Sequence, residues 1–424
     1  MMNITILSAV AVIVIVTLIL VACLLIIKIK LTPSGSVKID INGGKKVVEA
    51  PMGGDLLHTL ALEKIFLPSA CGGKGNCGQC KCQVIEGGGT ILPTEVGFFS
   101  RKQIQDNWRL GCQVKVKDNL KIQVPDSVLS VKKLECEVIS NHNVATFIKE
   151  FTVRLPEGEH IEFKSGEYIQ IDIPACDINF ADMDIEPEYR ADWERYNFFD
   201  LKMHNPTPTI RAYSMASYPA EDNIVKLNVR IATPPFDRTQ PRGVFKCLPV
   251  NPGVASSYVF SRKPGDKVTI SGPYGEFLLP QDDPKDIEYV FVGGGAGMAP
   301  LRSHIMHLFK TLKTDRKVKF FYGARALVEA FYLEDFAQIE RDFPNFEFHL
   351  ALDRPDPAAD QAGVKYTAGF VHNVMNELYL KDHEAPEDIK YFMCGPPMMV
   401  SSVVGLLDSL GVQPENILYD NFGA

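Results

Sequence analysis

The 424-residue chain is predicted to be a multidomain α+β protein. Its parts are an apolar amino-terminal helix, a small strand-rich module, an antiparallel β-barrel and an α/β module with a parallel sheet. Three observations lead there. Residues 1–27 carry no charged side chain. From Val37 to Phe277 the chain runs through short alternating apolar segments broken by turn residues, the pattern of small antiparallel folds. Beyond about Asp286, apolar strands alternate with helical stretches, the rhythm of a sheet with crossover helices. The expected boundaries are 1–30, 34–128, 132–283 and 285–424.

From Ile4 to Ile27 the run is almost wholly Ile, Leu, Val and Ala, long enough to cross a bilayer core of about 30 Å as a helix. The basic leader and small-residue cleavage site of a signal peptide are absent. Lys28 and Lys30 follow directly, so the positive-inside rule places the rest of the chain in the cytoplasm, single-pass and membrane-anchored. A net charge of −8 without a basic stripe gives no reason to expect nucleic acid as a partner. Ten cysteines in a chain of this length point to a reducing compartment and not to a disulfide framework.

The first folded module holds the densest chemical signal. Cys71-x5-Cys77-x2-Cys80 lies in ACGGKGNCGQC, and Cys112 follows after 31 residues. Glycines let such a loop curl around an inorganic cluster and aim N–H groups at its sulfurs. Three ligands crowded in one loop with a distant fourth suit a [2Fe–2S] centre better than zinc, whose structural sites present two close pairs. Cys82 alternates into the strand KCQVI and reads as a small buried hydrophobe. Runs SVKIDI and KKVVEA form a hairpin about Asn42-Gly43-Gly44, CQVKV and LKIQV read as further strands, and Asp55 to Lys64 reads as a short helix.

In the second module LECEVIS, TFIKEFTVRL, GEYIQIDIP, TIRAYSMAS, IVKLNVRIA and KVTISGPYGEF suggest a barrel. Residues 177–204 are out of character, with eight acids and three bases among several aromatics; they read either as a solvated loop or as a docking surface. At Arg211, Tyr213 and Ser214 one strand end offers a guanidinium, a phenol and a hydroxyl, a set suited to a flavin and its phosphates. Gly253-x-x-Ser256 and Gly272-Pro273-x-Gly275-x-Phe277 keep it company.

In the third module the strand YVFV runs into GGGAGMAP. Gly295 and Gly297 allow close backbone approach, and Pro300 suits the first turn of the helix whose amino terminus would face a pyrophosphate. A second strand end, Cys394-Gly395-Pro396-Pro397, makes a two-sided nucleotide cleft. Cys394 beside the nicotinamide ring competes with Cys394 as a buried structural residue.

RxYS, GxxS, GPxGxF, GxGxxP and CGPPxM, in this order, resemble the ferredoxin–NADP reductase superfamily. With a ferredoxin module and a membrane helix in front, and with YRADWERYNFF, NVRIATPP and KDHEAPED, the whole chain resembles the F-subunit family of the sodium-translocating NADH:quinone oxidoreductases. The resemblance implies a β-grasp ferredoxin-like domain, an FAD-binding β-barrel and an NAD-binding α/β domain. It implies cluster ligation by Cys71, Cys77, Cys80 and Cys112, and FAD contacts at Arg211, Tyr213, Ser214, Asn228 and Arg230 with Ser256 at the pyrophosphate. It implies NADH among Gly295, Gly297, Pro300, Cys394, Gly395 and Pro396, with Phe422 covering the flavin. Its partners would be other membrane subunits in a bacterial inner membrane, with quinone reached indirectly.

NADH delivers two electrons at once and a [2Fe–2S] cluster accepts one, so a flavin must stand between them. The expected route is NADH to FAD to [2Fe–2S]. The competing readings are the NADH-dependent reductase of a multicomponent oxygenase and an electron carrier whose cleft no longer turns over.

Overall fold

The computed structural model describes residues 14–22, 35–69 and 71–420. Residues 14–22 are helical and exposed; the remainder of the expected anchor lies outside the described residues. Among the described residues no helix is long and apolar enough to cross a membrane. The chain divides into two compact units, Met1–Ser69 with Gly73–Ser130, and Ala70–Gly72 with Val131–Ala424.

The first unit is a mixed sheet of β1 (Ser36–Ile41), β2 (Lys46–Pro51), β3 (Lys81–Glu86), β4 (Trp108–Leu110) and β5 (Leu120–Gln123), in the order β2-β1-β5-β3-β4. β1 and β5 are parallel and the other neighbours antiparallel. Alternation in β1 sends Val37, Ile39 and Ile41 inward, against a helix at Leu56–Leu62 whose first turn is capped by the Asp55 carboxylate at the His58 N–H. The run Cys112 to Val116, expected as a strand, makes only an isolated bridge at Lys115. The N–H groups of Gln113 and Val114 turn back onto the Leu110 carbonyl instead, a tight turn that lifts Cys112 out of the ladder.

In the second unit, β6 (Lys132–Ala145), β7 (Ile148–Arg154), β8 (Tyr168–Ile173), β11 (Thr209–Ser214), β12 (Ile224–Arg230) and β13 (Lys267–Tyr274) form an antiparallel sheet in the order β11-β8-β13-β6-β7-β12. A bridge from Met215 to Leu227 joins its two edges, closing it into the expected barrel. The excursion between β8 and β11 is not a solvated loop. Its strands β9 (Cys176–Asn179) and β10 (Lys202–Asn205) pair antiparallel, and its helix Pro187–Arg195 buries Trp193 completely. Phe180, Met183, Trp193 and Phe198 join the barrel core, and the Trp193 indole donates to the Thr146 carbonyl at 2.8 Å. The acids that make the stretch look solvated line its outer side while the aromatics turn in.

The α/β part of this unit carries six parallel strands, β14 (Tyr289–Gly294), β15 (Val318–Ala324), β16 (Phe346–Leu352), β17 (Thr367–Ala368), β18 (Lys390–Cys394) and β19 (Ile417–Asp420). Their order is β17-β16-β15-β14-β18-β19. β14 and β18 are almost continuous apolar runs because helices cover both faces of the sheet. The order reverses at β14, so the ends of β14 and β18 flank the crevice where such sheets bind ligands.

Candidate active site

The carboxyl end of β14 passes into Gly295–Gly297 and then the helix Met298–Met306. A side chain at Gly297 would collide with the Cys394 carbonyl, so glycine here is what lets the two strand ends meet. Gly295 takes φ +56 and a Cβ there would meet nothing nearer than 3.9 Å, leaving its backbone open to a ligand. Pro300 lies buried in the first helical turn, as expected of a residue without an N–H to lose. Cys394, wholly buried, ends β18, and Gly395 and Pro396 lead into the helix Pro397–Ser409.

Opposite stands the barrel. Arg211 is held along β11 by the Thr209 hydroxyl at 2.9 Å and the Ile210 carbonyl at 2.7 Å. Burial pushes the Tyr213 phenol well above its usual pKa. Ser256 lies in the first turn of a helix, Val254–Ser261, which sequence reading missed; its N–H groups and dipole suit a pyrophosphate. The Ser256 hydroxyl accepts from the Ala232 N–H at 3.0 Å and so ties the helix start to the end of β12. Asn228 donates to Tyr332 Oη at 2.8 Å, while its buried Oδ1 has no hydrogen-bond partner among the described residues. Arg230 lies over the Phe147 ring.

At the strand ends, barrel and sheet are joined by a hydrogen bond. Ser214 Oγ donates to Asp420 Oδ2 at 2.7 Å, and Asp420 is in register with Cys394 across β18 and β19. Burial raises the Asp420 pKa and the Ser214 hydrogen bond opposes that rise. Burial, and then the Asp420 charge, hold the Cys394 thiol protonated. A hydroxyl, a carboxyl and a thiol therefore converge where β11, β18 and β19 end. Asp420 was not singled out from sequence; it ends the short strand β19, and its side-chain hydrogen-bond partner Ser214 is 206 residues away.

In the first unit Cys80 and Cys112 are buried and Cys77 is partly exposed, as is Cys71, which falls within the second unit. The Cys80 thiol shares a hydrogen bond with Cys112, and that contact, burial and the charges of Cys112 and Cys77 all push its pKa up. Thiols crowded so closely repel one another as thiolates unless a cation sits among them, so the donor set fits an iron–sulfur cluster. Among the described residues no group of three or more His, Cys, Asp or Glu side chains is arranged to hold a metal ion. A side chain at Gly78, which has φ +69, would run into the Phe98 ring, so the loop wraps tightly. Cys82 is wholly buried, as expected, and burial pushes its thiol up to about 12.

Sequence reading also missed a buried ion pair that braces β4, the strand leading to Cys112. Glu95 and Arg109, both buried, form a fork, with Nη2 to Oε1 at 2.7 Å and Nε to both oxygens. Glu95 also accepts from the Leu110 N–H at 2.9 Å, and Arg109 reaches the Gly88 carbonyl at 2.9 Å.

Comparison with known proteins agrees module by module. A 2Fe-2S iron-sulfur cluster binding domain matches residues 39–117, an oxidoreductase FAD-binding domain residues 194–278, and an oxidoreductase NAD-binding domain residues 291–405. The F subunit of the Na(+)-translocating NADH-quinone reductase of Pseudomonas aeruginosa (strain UCBPP-PA14) is 51% identical over 400 residues, 94% of either chain. That of Marinomonas sp. (strain MWYL1) is 50% identical over 423 residues, 100% of both. The chain belongs to the F-subunit family of the sodium-translocating NADH-quinone reductases.

Its cofactors are FAD, a [2Fe–2S] cluster and NADH, as expected. Solved structures share the fold of this family member. The Amycolatopsis cytochrome P450 reductase GcoB has TM-score 0.61 at 22% identity, covering 91% of this chain and 98% of that one. The ferredoxin reductase in carbazole 1,9a-dioxygenase has TM-score 0.56 at 22% identity, covering 92% and 98%. Of the residues singled out from sequence, Ser214, Gly297 and Cys394 converge on the strand-end crevice. Ser256 stands apart, at the amino terminus of its own helix. Phe422 lies outside the described residues.

Proposed function

We propose that this chain is the electron-input subunit of a membrane NADH:quinone oxidoreductase that pumps sodium. FAD held in the barrel would supply two-electron acceptance from NADH and one-electron release, and a [2Fe–2S] cluster held by Cys71, Cys77, Cys80 and Cys112 would supply one-electron relay toward partner membrane subunits and quinone. The observation that carries the reading is the convergence of Ser214, Asp420 and Cys394 at the crevice between barrel and parallel sheet. It supports an active hydride-transfer site in preference to a carrier with an idle cleft.

Each side chain has a task there. Gly295 and Gly297 admit the dinucleotide backbone, and the helix amino terminus behind them stabilises its pyrophosphate. Cys394, small and uncharged, leaves room for the nicotinamide ring to stack close to the flavin. Ser214 holds its proton on Oγ toward Asp420 Oδ2, and the buried Asp420, with its raised pKa, can hold or release a proton as charge on the flavin changes. Arg211 and Ser256 would take the flavin's phosphates. Cys71, Cys77, Cys80 and Cys112 hold the cluster. The uncharged stretch 1–27, followed by Lys28 and Lys30, supports a single-pass anchor in the bacterial inner membrane with both folded units in the cytoplasm.

The test uses the full chain extracted from membranes with FAD and cluster loaded. NADH should reduce its flavin and cluster in turn, and membrane subunits should co-purify. Co-purification with a soluble oxygenase, or flavin that NADH leaves oxidised, would overturn the proposal. Within the site, Cys394→Ala should slow flavin reduction far more than it lowers FAD content; an unaltered rate would return Cys394 to a packing role.

A further inference from the structure

Away from the reacting crevice, a second junction joins barrel and parallel sheet. Tyr332 precedes the helix Leu333–Asp342 with φ +59, a left-handed conformation that a bulky aromatic adopts only when its surroundings impose it. Its hydroxyl donates to Glu150 Oε2 on β7 at 2.5 Å and accepts from Asn228 Nδ2 on β12 at 2.8 Å. The Arg302 guanidinium lies over its ring, 4.9 Å from the centroid. Arg302 is itself buried and reaches the barrel, bonding the Ala216 carbonyl at 2.8 Å and Glu221 at 3.1 Å, and it holds Asp335 at 3.1 Å. Lys226 lies 3.6 Å from Glu150.

Both sheet-side members of this network connect to the nucleotide loop. Arg302 is on the helix that Gly297 opens. Tyr332 packs on Phe331, Phe331 on Tyr322, and the Tyr322 hydroxyl donates to the Gly295 carbonyl at 3.2 Å. On the barrel side, β12 also carries Asn228 and Arg230, both expected to touch the flavin. One connected, largely buried network therefore spans from the nicotinamide loop to the strand expected to bind flavin.

We propose that Tyr332, locked between Glu150, Asn228 and Arg302, is a positioning residue that sets the separation between nicotinamide and flavin. The inference rests on the reading that NADH reduces FAD in this cleft, by a step in which NADH is oxidised to NAD+ and FAD takes up the hydride with one proton from solvent. Transfer rates fall steeply when reacting atoms are displaced by an ångström or so, whereas binding of each cofactor depends on its own module.

The test is anaerobic stopped flow on the full chain with FAD and cluster bound. Tyr332→Phe keeps the ring under Arg302 and removes both hydroxyl bonds. Flavin reduction at saturating NADH should slow by about tenfold or more, with FAD content and NADH affinity unchanged within about twofold and the long-wavelength absorbance of the stacked flavin–nicotinamide pair weakened. Glu150→Gln, which keeps an acceptor for the hydroxyl, should stay near the wild-type rate, and Glu150→Leu should behave as Tyr332→Phe; this pair decides the matter if the tyrosine variant does not fold. Wild-type rates and absorbance in Tyr332→Phe or Glu150→Leu would overturn the positioning role. Wild-type flavin that NADH fails to reduce would instead sink the underlying reading.

Discussion

Ser214 Oγ and Asp420 Oδ2 lie 2.7 Å apart although 206 residues separate them, and this bond joins the end of β11 to the end of β19. Because burial raises the Asp420 pKa, the native protein holds a proton there that the unfolded chain has released. Stability from this group is thus full below the usual carboxylate pKa and is lost as pH rises through the raised value. Asp420→Asn should flatten that decline, and Ser214→Ala, which removes the bond that lowers the pKa, should extend it to higher pH. Denaturation midpoints measured from about pH 4 to 7 check both.

Cys77→Ala should abolish the cluster's visible absorbance while FAD stays bound and NADH oxidation by artificial acceptors continues. The cysteine belongs to the first unit, and Arg211, Tyr213 and Ser214 belong to the second. Flavin loss in this variant would contradict the modular assignment.

Glu95→Ala leaves the Arg109 guanidinium buried and unpaired, a change that costs about 3–5 kcal/mol in such settings. The first unit should melt at lower temperature and lose its cluster sooner on heating. Melting of the second unit should be unaffected, which calorimetry of the loaded chain would resolve.

Coenzyme preference should favour NADH by roughly tenfold or more in kcat/KM. Beyond β15 the chain offers Arg325 followed by Ala326, Leu327, Val328 and the acidic Glu329. A 2′-phosphate calls for a basic cluster there. Steady-state comparison of NADH with NADPH decides it.

Much of the site is legible where chemistry depends on neighbours in the chain. Gly295, Gly297 and Pro300 declare a strand-to-helix turn by their own backbone preferences, and the three cysteines of one loop declare a cluster by their spacing. Long-range partners are silent. Nothing near Asp420 announces Ser214, and nothing near Glu95 announces Arg109, since the first pair forms only when distant strands assemble and the second only when a turn folds back onto β4. The stretch 177–204 misleads for a related reason: its acids are counted from sequence, but which side of the excursion they occupy depends on where Trp193 finds its pocket.

By itself the order of residues determined the series of modules, the strand and helix periodicities, the cluster loop and the dinucleotide turn, because each is written in local spacing. The closure of the barrel through Met215 and Leu227, the burial of Trp193, the fork between Glu95 and Arg109 and the meeting of Ser214, Asp420 and Cys394 were decided only by tertiary structure. Their energies come from desolvating groups that different segments of the chain bring together, and that desolvation exists only once the unit holding each of them has folded.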